Sequence, residues 1–165
     1  MIKIFSYLLQ SILIYFFYLI GLILGLKISR KIFASFFLMI GPIFRSKTIV
    51  QNNLHIFSHK VSNIDEKKIT KNMWKNYGMT FIEYIFLKQL RERSEHITIK
   101  GEKNLLEIMQ QKKPVIFVSG HFANFELMSM EITKRNIPLA TIYRPLNNIF
   151  LNPLMEYLRK KYICQ

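Results

Sequence analysis

The first long apolar stretch, residues 4–26 (IFSYLLQSILIYFFYLIGLILGL), contains no charged side chain; Lys3 precedes it and Lys27, Arg30 and Lys31 follow it. A helix of that length rises about 30–35 Å, the thickness of a bilayer's hydrocarbon core. Apolar residues surround the helix on every side, whereas a helix on a soluble domain shows a polar face. No small-residue cleavage site follows, so the segment reads as an uncleaved anchor and not as a signal peptide. The cations after it predict that the remaining chain faces the cytoplasm. A second apolar run, residues 32–44, is shorter and carries Gly41-Pro42. Flanked by Lys31 and Arg45, it predicts a helix lying in the membrane interface, with a core helix of the following domain as the alternative.

From Ser46 the composition turns towards Asn, Lys and Glu. Ile69, Met73, Trp74, Tyr77, Phe81, Tyr84 and Ile85 recur at spacings of three and four, which predicts a helix over residues 65–92. Asp65 and Glu66 suit its first turn, and Arg91 and Arg93 its last. Residues 97–100 (ITIK) predict a short strand before Gly101, and residues 102–111 a helix. Lys112-Lys113-Pro114 then leads into VIFV (115–118), a continuous apolar run of the kind found in buried parallel strands. A helix is expected from about Asn124 to Arg135, a strand over 139–143, and a last helix carrying Leu154, Met155 and Leu158. The alternation predicts an α/β fold: an N-terminal transmembrane helix, then a partial α/β domain with a mostly parallel sheet. The expected boundaries are 1–45 for the anchor and interfacial helix and 46–165 for the partial α/β domain.

Charge and cysteine content narrow the classes. The chain has 165 residues and a formal net charge of +14, from 24 Lys+Arg against 10 Asp+Glu. Such a surface attracts anionic headgroups, phosphorylated glycolipid or an acidic carrier protein. Nucleic acid is not an expected partner: the chain is crowded with Lys, Ile, Asn and Phe together, a bias that inflates Lys without function, and half of it is hydrophobic. Cys164 stands alone, so it builds neither a disulfide framework nor a cysteine zinc site, and it fits a reducing compartment. His55, His59 and His96 lack carboxylates at ligand spacing and read as surface residues. No metal and no cofactor is expected, and no glycine-rich phosphate loop is present.

The stretch VIFVSGHFANFE (115–126) carries the candidate chemistry. His121 and Glu126 are five positions apart, which in one continuous helix turns the second side chain about 140° from the first. They can share a site only with His121 in a turn and Glu126 in the first turn of the helix that follows. Neutral imidazole suits the removal of a hydroxyl proton near neutral pH. A carboxylate beside it fixes the tautomer and stabilises the imidazolium. The alternative is a structural histidine. Arg144, in YRPLNN (143–148), could hold a phosphate or an oxyanion, or belong to a solvated turn. Arg159, with Lys160 and Lys161, could meet phosphate or complement a helix dipole.

The segment GHFANFE resembles the H-x4-E signature of the late acyltransferases of lipid A biosynthesis. Asn53-Leu54, Gly78 with Glu83, the stretch from Ile99 to Leu105 and YRPLNN are similar to that family in the same order, and with the anchor they cover nearly the whole chain. The resemblance implies a single-pass enzyme of the inner membrane that faces the cytoplasm. It implies an acyl carrier protein thioester as donor and a Kdo-bearing phosphorylated lipid A precursor as acceptor. By position it gives His121 and Glu126 the catalytic roles and puts Arg144, Arg159 and Asn124 with the substrate. It also implies further strands after Arg159, so a truncated, non-catalytic membrane-bound homologue stands as the alternative. An acyltransferase of glycerolipids is a third reading, against which Glu126 counts because Asp is usual there.

Overall fold

The computed structural model describes residues 2–44, 46–58, 65–111 and 113–164. These residues form α1 (Ile2–Phe44), α2 (Lys47–Ser58), α3 (Glu66–Glu83), α4 (Leu87–Glu92), α5 (Glu102–Gln111), α6 (Glu126–Lys134) and α7 (Asn152–Tyr162), with short 3-10 turns at Tyr84–Phe86 and Ser94–His96. The chain divides into two compact units, one of residues 1–19 with 85–165 and the other of residues 20–84. Arg45, His59 and Lys112, which the sequence reading invoked as a flank, a surface histidine and a strand lead-in, lie outside the described residues.

Helices form at most of the expected places, but the one expected over residues 65–92 is broken by the 3-10 turn at Tyr84–Phe86, residues 32–44 continue α1 instead of forming a separate helix, α2 was not expected, and the sheet does not form. No strand occurs among the described residues, which overturns the expected α/β fold with its mostly parallel sheet. Residues 97–100, 115–118 and 139–143 run as irregular connections. Several of their apolar side chains are largely exposed: Ile116 is 90% exposed, Val118 91% and Ile142 106%. A continuous apolar run reports burial only if a neighbouring strand takes up its backbone groups, and here no ladder forms. Helices pack on helices instead.

In the unit of residues 20–84, Gly25 interrupts α1 with φ 74° and ψ 164°, a left-handed conformation that glycine adopts without a Cβ penalty. Ser29 Oγ donates to the Gly21 carbonyl at 3.0 Å, and Ser29 is fully buried. Eight residues along a straight helix are about 12 Å apart, so this bond requires the sharp bend at Gly25. Beyond the bend, Phe33 and Phe37 stack on Phe81 of α3 at 5.7 and 5.4 Å between ring centroids. Trp74 closes over Gly41, and Gly78 lets α3 approach the Phe33 backbone. Arg30 Nε meets the buried Glu83 carboxylate at 2.6 Å. Asp65, expected in the first turn, instead caps α3 from just ahead of it by accepting from Lys68 N at 2.9 Å.

In the other unit the core is Leu87 and Leu90 of α4, Met130 of α6 and Ile163 after α7, each almost wholly buried. Arg91 joins these helices. Its Nη1 donates to Thr133 Oγ1 of α6 and to the Tyr162 carbonyl of α7, both at 2.9 Å. The α1 segment of this unit turns a stripe of Tyr7, Ser11, Ile14 and Tyr18 inwards, and Phe5, Leu9, Ile12 and Phe16 outwards. As a whole α1 is long and apolar enough to cross a membrane.

A Cβ at position 78 would collide with the Phe33 carbonyl oxygen, which is backbone and cannot swing away. Gly78→Ala is therefore expected to lower stability by about 1–3 kcal/mol, read by thermal unfolding in detergent; unchanged stability would refute this packing.

Candidate functional site

A cavity of about 840 Å³ opens in the unit of residues 1–19 and 85–165. Three stretches wall it: the connection from Val115 to His121, one side of α6, and the connection from Pro138 to Arg144. The apolar part comes from residues such as Val115, Phe117, Ile132 and Leu139, and the polar part from His121, Glu126, Arg144 and Arg159.

The loop that carries His121 is tightly wound. Phe122 N donates to the Gly120 carbonyl at 2.9 Å, and Gly120 leaves no room for a Cβ beside the Phe122 ring. Ala123 then adopts φ 48°, in the left-handed region that a residue with a Cβ rarely enters. This reversal puts His121 in a turn and Glu126 at the first position of α6. Both side chains then border one cavity, as their spacing required. The His121 ring lies 4.1 Å from the Phe125 ring, centroid to centroid, at 48°.

Glu126 is almost completely buried. Arg159 donates to its Oε1 from Nε at 2.9 Å and from Nη2 at 2.7 Å. The same guanidinium lies over the Tyr143 ring, 5.0 Å from its centroid. A buried carboxylate is tolerable where cationic donors face it, and the N-terminus of α6 adds favourable partial charge. Arg144 lines the cavity from an exposed position. Asn124 stands outside the cavity lining and is only partly exposed. Among the described residues no three His, Cys, Asp or Glu side chains converge as a metal site would need.

Two groups escaped the sequence reading. The Arg159–Glu126 pair joins positions 33 apart, and nothing local in the sequence signals it. Asn148 is almost buried and takes both the Ser11 hydroxyl and its own turn's amides; an Asn just ahead of a helix that begins Asn-Pro is the available signal.

The described residues are mostly helical, α1 is long and apolar enough to cross a membrane, and the cavity has both polar and apolar walls. The chain belongs to the bacterial lipid A biosynthesis acyltransferase family, whose model matches residues 2–163. Membership carries a lipid A acyltransferase type of function, with an acyl donor and a lipid acceptor as its general substrates. No curated protein and no solved structure matches the chain.

The helix that presents Glu126 is held further along by Glu131, which accepts from Lys134 Nζ and from Arg135 Nη1, both at 2.9 Å. Burial pushes the Glu131 carboxyl up, but the two cations outweigh it and hold it below the usual carboxylate value. A lowered folded-state value favours the folded protein above the unfolded value near 4.5, and that contribution disappears as pH falls through the folded value. Glu131→Gln is expected to cost about 1–3 kcal/mol at pH 7, with the gap from the parent closing as pH drops below 4.5. Denaturant unfolding at several pH values measures it; a gap independent of pH would contradict the ion cluster.

Proposed function

We propose that the chain is an O-acyltransferase in which His121 is the general base and Glu126 orients it. The observation that carries the reading is that His121, Glu126, Arg144 and Arg159 line one cavity together with apolar residues such as Val115, Phe117, Ile132 and Leu139. A fatty acyl thioester needs apolar wall for its chain. A phosphorylated acceptor needs guanidinium, which binds phosphate in a bidentate manner. Arg144, exposed at the cavity edge, suits that second role.

In the proposed step the acceptor hydroxyl attacks the thioester carbonyl while its proton passes to His121. The tetrahedral intermediate collapses, the carbon–sulfur bond breaks, and His121 returns the proton to the leaving thiolate. The products are an ester and a free thiol. Two hydrogen bonds from Arg159 hold the Glu126 carboxylate, which steadies the imidazolium formed midway. The donor proposed is acyl carrier protein thioester, whose acidic surface suits a chain of net charge +14. The acceptor proposed is a Kdo-bearing phosphorylated lipid A precursor. The location proposed is the inner membrane with the site on the cytoplasmic side, supported by Lys27, Arg30 and Lys31 after the apolar stretch.

The outward Ile116, Val118 and Ile142 favour a second reading, a non-catalytic homologue that binds lipid with this surface and transfers nothing. Acyl transfer from the thioester to the phosphorylated precursor, measured on membranes, separates the two. The catalytic reading expects His121→Ala and Glu126→Gln each to lower the rate by about 10²-fold or more. Equal turnover by parent and variants would sink it, and no turnover by the parent would favour the second reading.

A further inference from the structure

The connection that carries Arg144 has no ladder to hold it: among the described residues, no backbone–backbone hydrogen bond engages residues 138–145. Side chains of α7 and of the residues just after it do the holding. Thr141 Oγ1 meets Cys164 Sγ at 3.0 Å. The Tyr143 ring faces the Arg159 guanidinium, 5.0 Å from the ring centroid. Partial burial and then the nearby Glu156 carboxylate push the Tyr143 hydroxyl above its ordinary value. Leu146 N donates to Asn152 Oδ1 at 2.8 Å, and Asn152 Nδ2 donates to Glu156 Oε1 at 2.7 Å. Asn152, Glu156 and Arg159 follow one another at spacings of four and three, which places them on one face of the helix.

These bonds are not needed to start α7. Asn148 Oδ1 already accepts from Phe150 N at 3.0 Å and from Leu151 N at 3.3 Å, just ahead of the helix. Asn152 instead reaches back six residues to the loop. Glu156 is used in the same direction. The chain carries 24 Lys+Arg against 10 Asp+Glu, yet among the described residues this carboxylate forms no ion pair and accepts from the neutral Asn152 amide. Arg144 lies between the two held points, one residue after Tyr143 and two before Leu146. Among the described residues no hydrogen bond or ion pair engages its guanidinium, whereas Arg159, the other arginine of the cavity, is bound to Glu126. A long side chain with an open guanidinium can take an anion, and the entropy it loses in doing so falls if its backbone is already held in place.

We propose that Asn152 and Glu156 are positioning residues for the acceptor's phosphate: they hold both flanks of Arg144 and so set where its guanidinium meets that phosphate. The proposal rests on the transferase reading and deepens it, because it gives the phosphate one subsite and names what builds it. Neither Asn152 nor Glu156 borders the cavity, so neither touches substrate. They act through Leu146 N and Tyr143, and their effect on the reaction passes through Arg144.

Steady-state acyl transfer by the full chain in mixed lipid–detergent micelles tests this, with the phosphorylated lipid A precursor and the acyl carrier protein thioester varied separately. Asn152→Ala and Glu156→Met are each expected to raise the acceptor KM by about three- to tenfold, the worth of one hydrogen bond. The thioester KM and kcat are expected to change by less than about twofold. Glu156→Met keeps the side chain's length and suits a helix, so it reports on the loop even where Asn152→Ala disturbs the start of α7. In an Arg144→Ala background both changes are expected to leave the acceptor KM where Arg144→Ala puts it, because no guanidinium remains to be positioned. An unchanged acceptor KM, an equal rise in both KM values, or the same rise in the Arg144→Ala background overturns the proposal and leaves the transferase reading standing. No turnover by the parent overturns that reading and this proposal with it.

Discussion

The Glu126 carboxylate and the Arg159 guanidinium come from positions 33 apart and meet with both side chains largely withdrawn from water, at 6% and 16% exposure. Taking two charges out of water is costly, and the cost is offset only where geometry is good and the lone pairs are used. Here two donors converge on one oxygen, Tyr143 covers the guanidinium, and the α6 N-terminus faces the carboxylate. The bond fixes the start of α6 against the C-terminal end of α7, and the Arg91 and Thr133 contacts tie the end of α6 to the same end of α7. Tied at both ends, α6 presents Glu126 at a set position behind the His121 turn. Removing either charge would leave the other, largely buried, without this partner.

Two other places depend on side chains that take up backbone groups. In the unit of residues 20–84, Gly25 breaks α1 and Ser29 takes up the Gly21 carbonyl. In the other unit, Asn148, Tyr15 and Asn152 do the same work for the 146–150 turn. Lys27 and Lys31 beyond the bend keep exposed cationic ends, which suits the level where headgroups begin.

Much of the helical content was legible because it is a matter of local periodicity and end chemistry. Glu66 lies in the first turn of α3 as expected, residues 102–111 form the helix expected, and α6 and α7 arise close to where they were expected. Residues 97–100, 115–118 and 139–143 misled because a strand is a pairing, and composition records only the propensity for one. The His121 turn was expected on the assumption that positions 121 and 126 share a site, and the strand expected ahead of it does not form among the described residues. The Arg159 bond to Glu126 was not expected, because Arg159 on an otherwise basic helix end reads equally as a phosphate ligand or a helix-dipole partner. Asn148 was invisible for a similar reason: its partners Tyr7 and Ser11 lie 141 and 137 residues away.

The most direct test of the Glu126–Arg159 pair as the fixing interaction is a double-mutant cycle, with Arg159→Met, Glu126→Gln and both together compared with the parent by denaturant unfolding in detergent. Each single change should cost about 3–5 kcal/mol because it leaves an uncompensated buried partner. The double variant should cost less than the sum by more than about 1 kcal/mol. Additive costs would mean that the two side chains act independently, and the buried pair would no longer explain how the cavity wall is held.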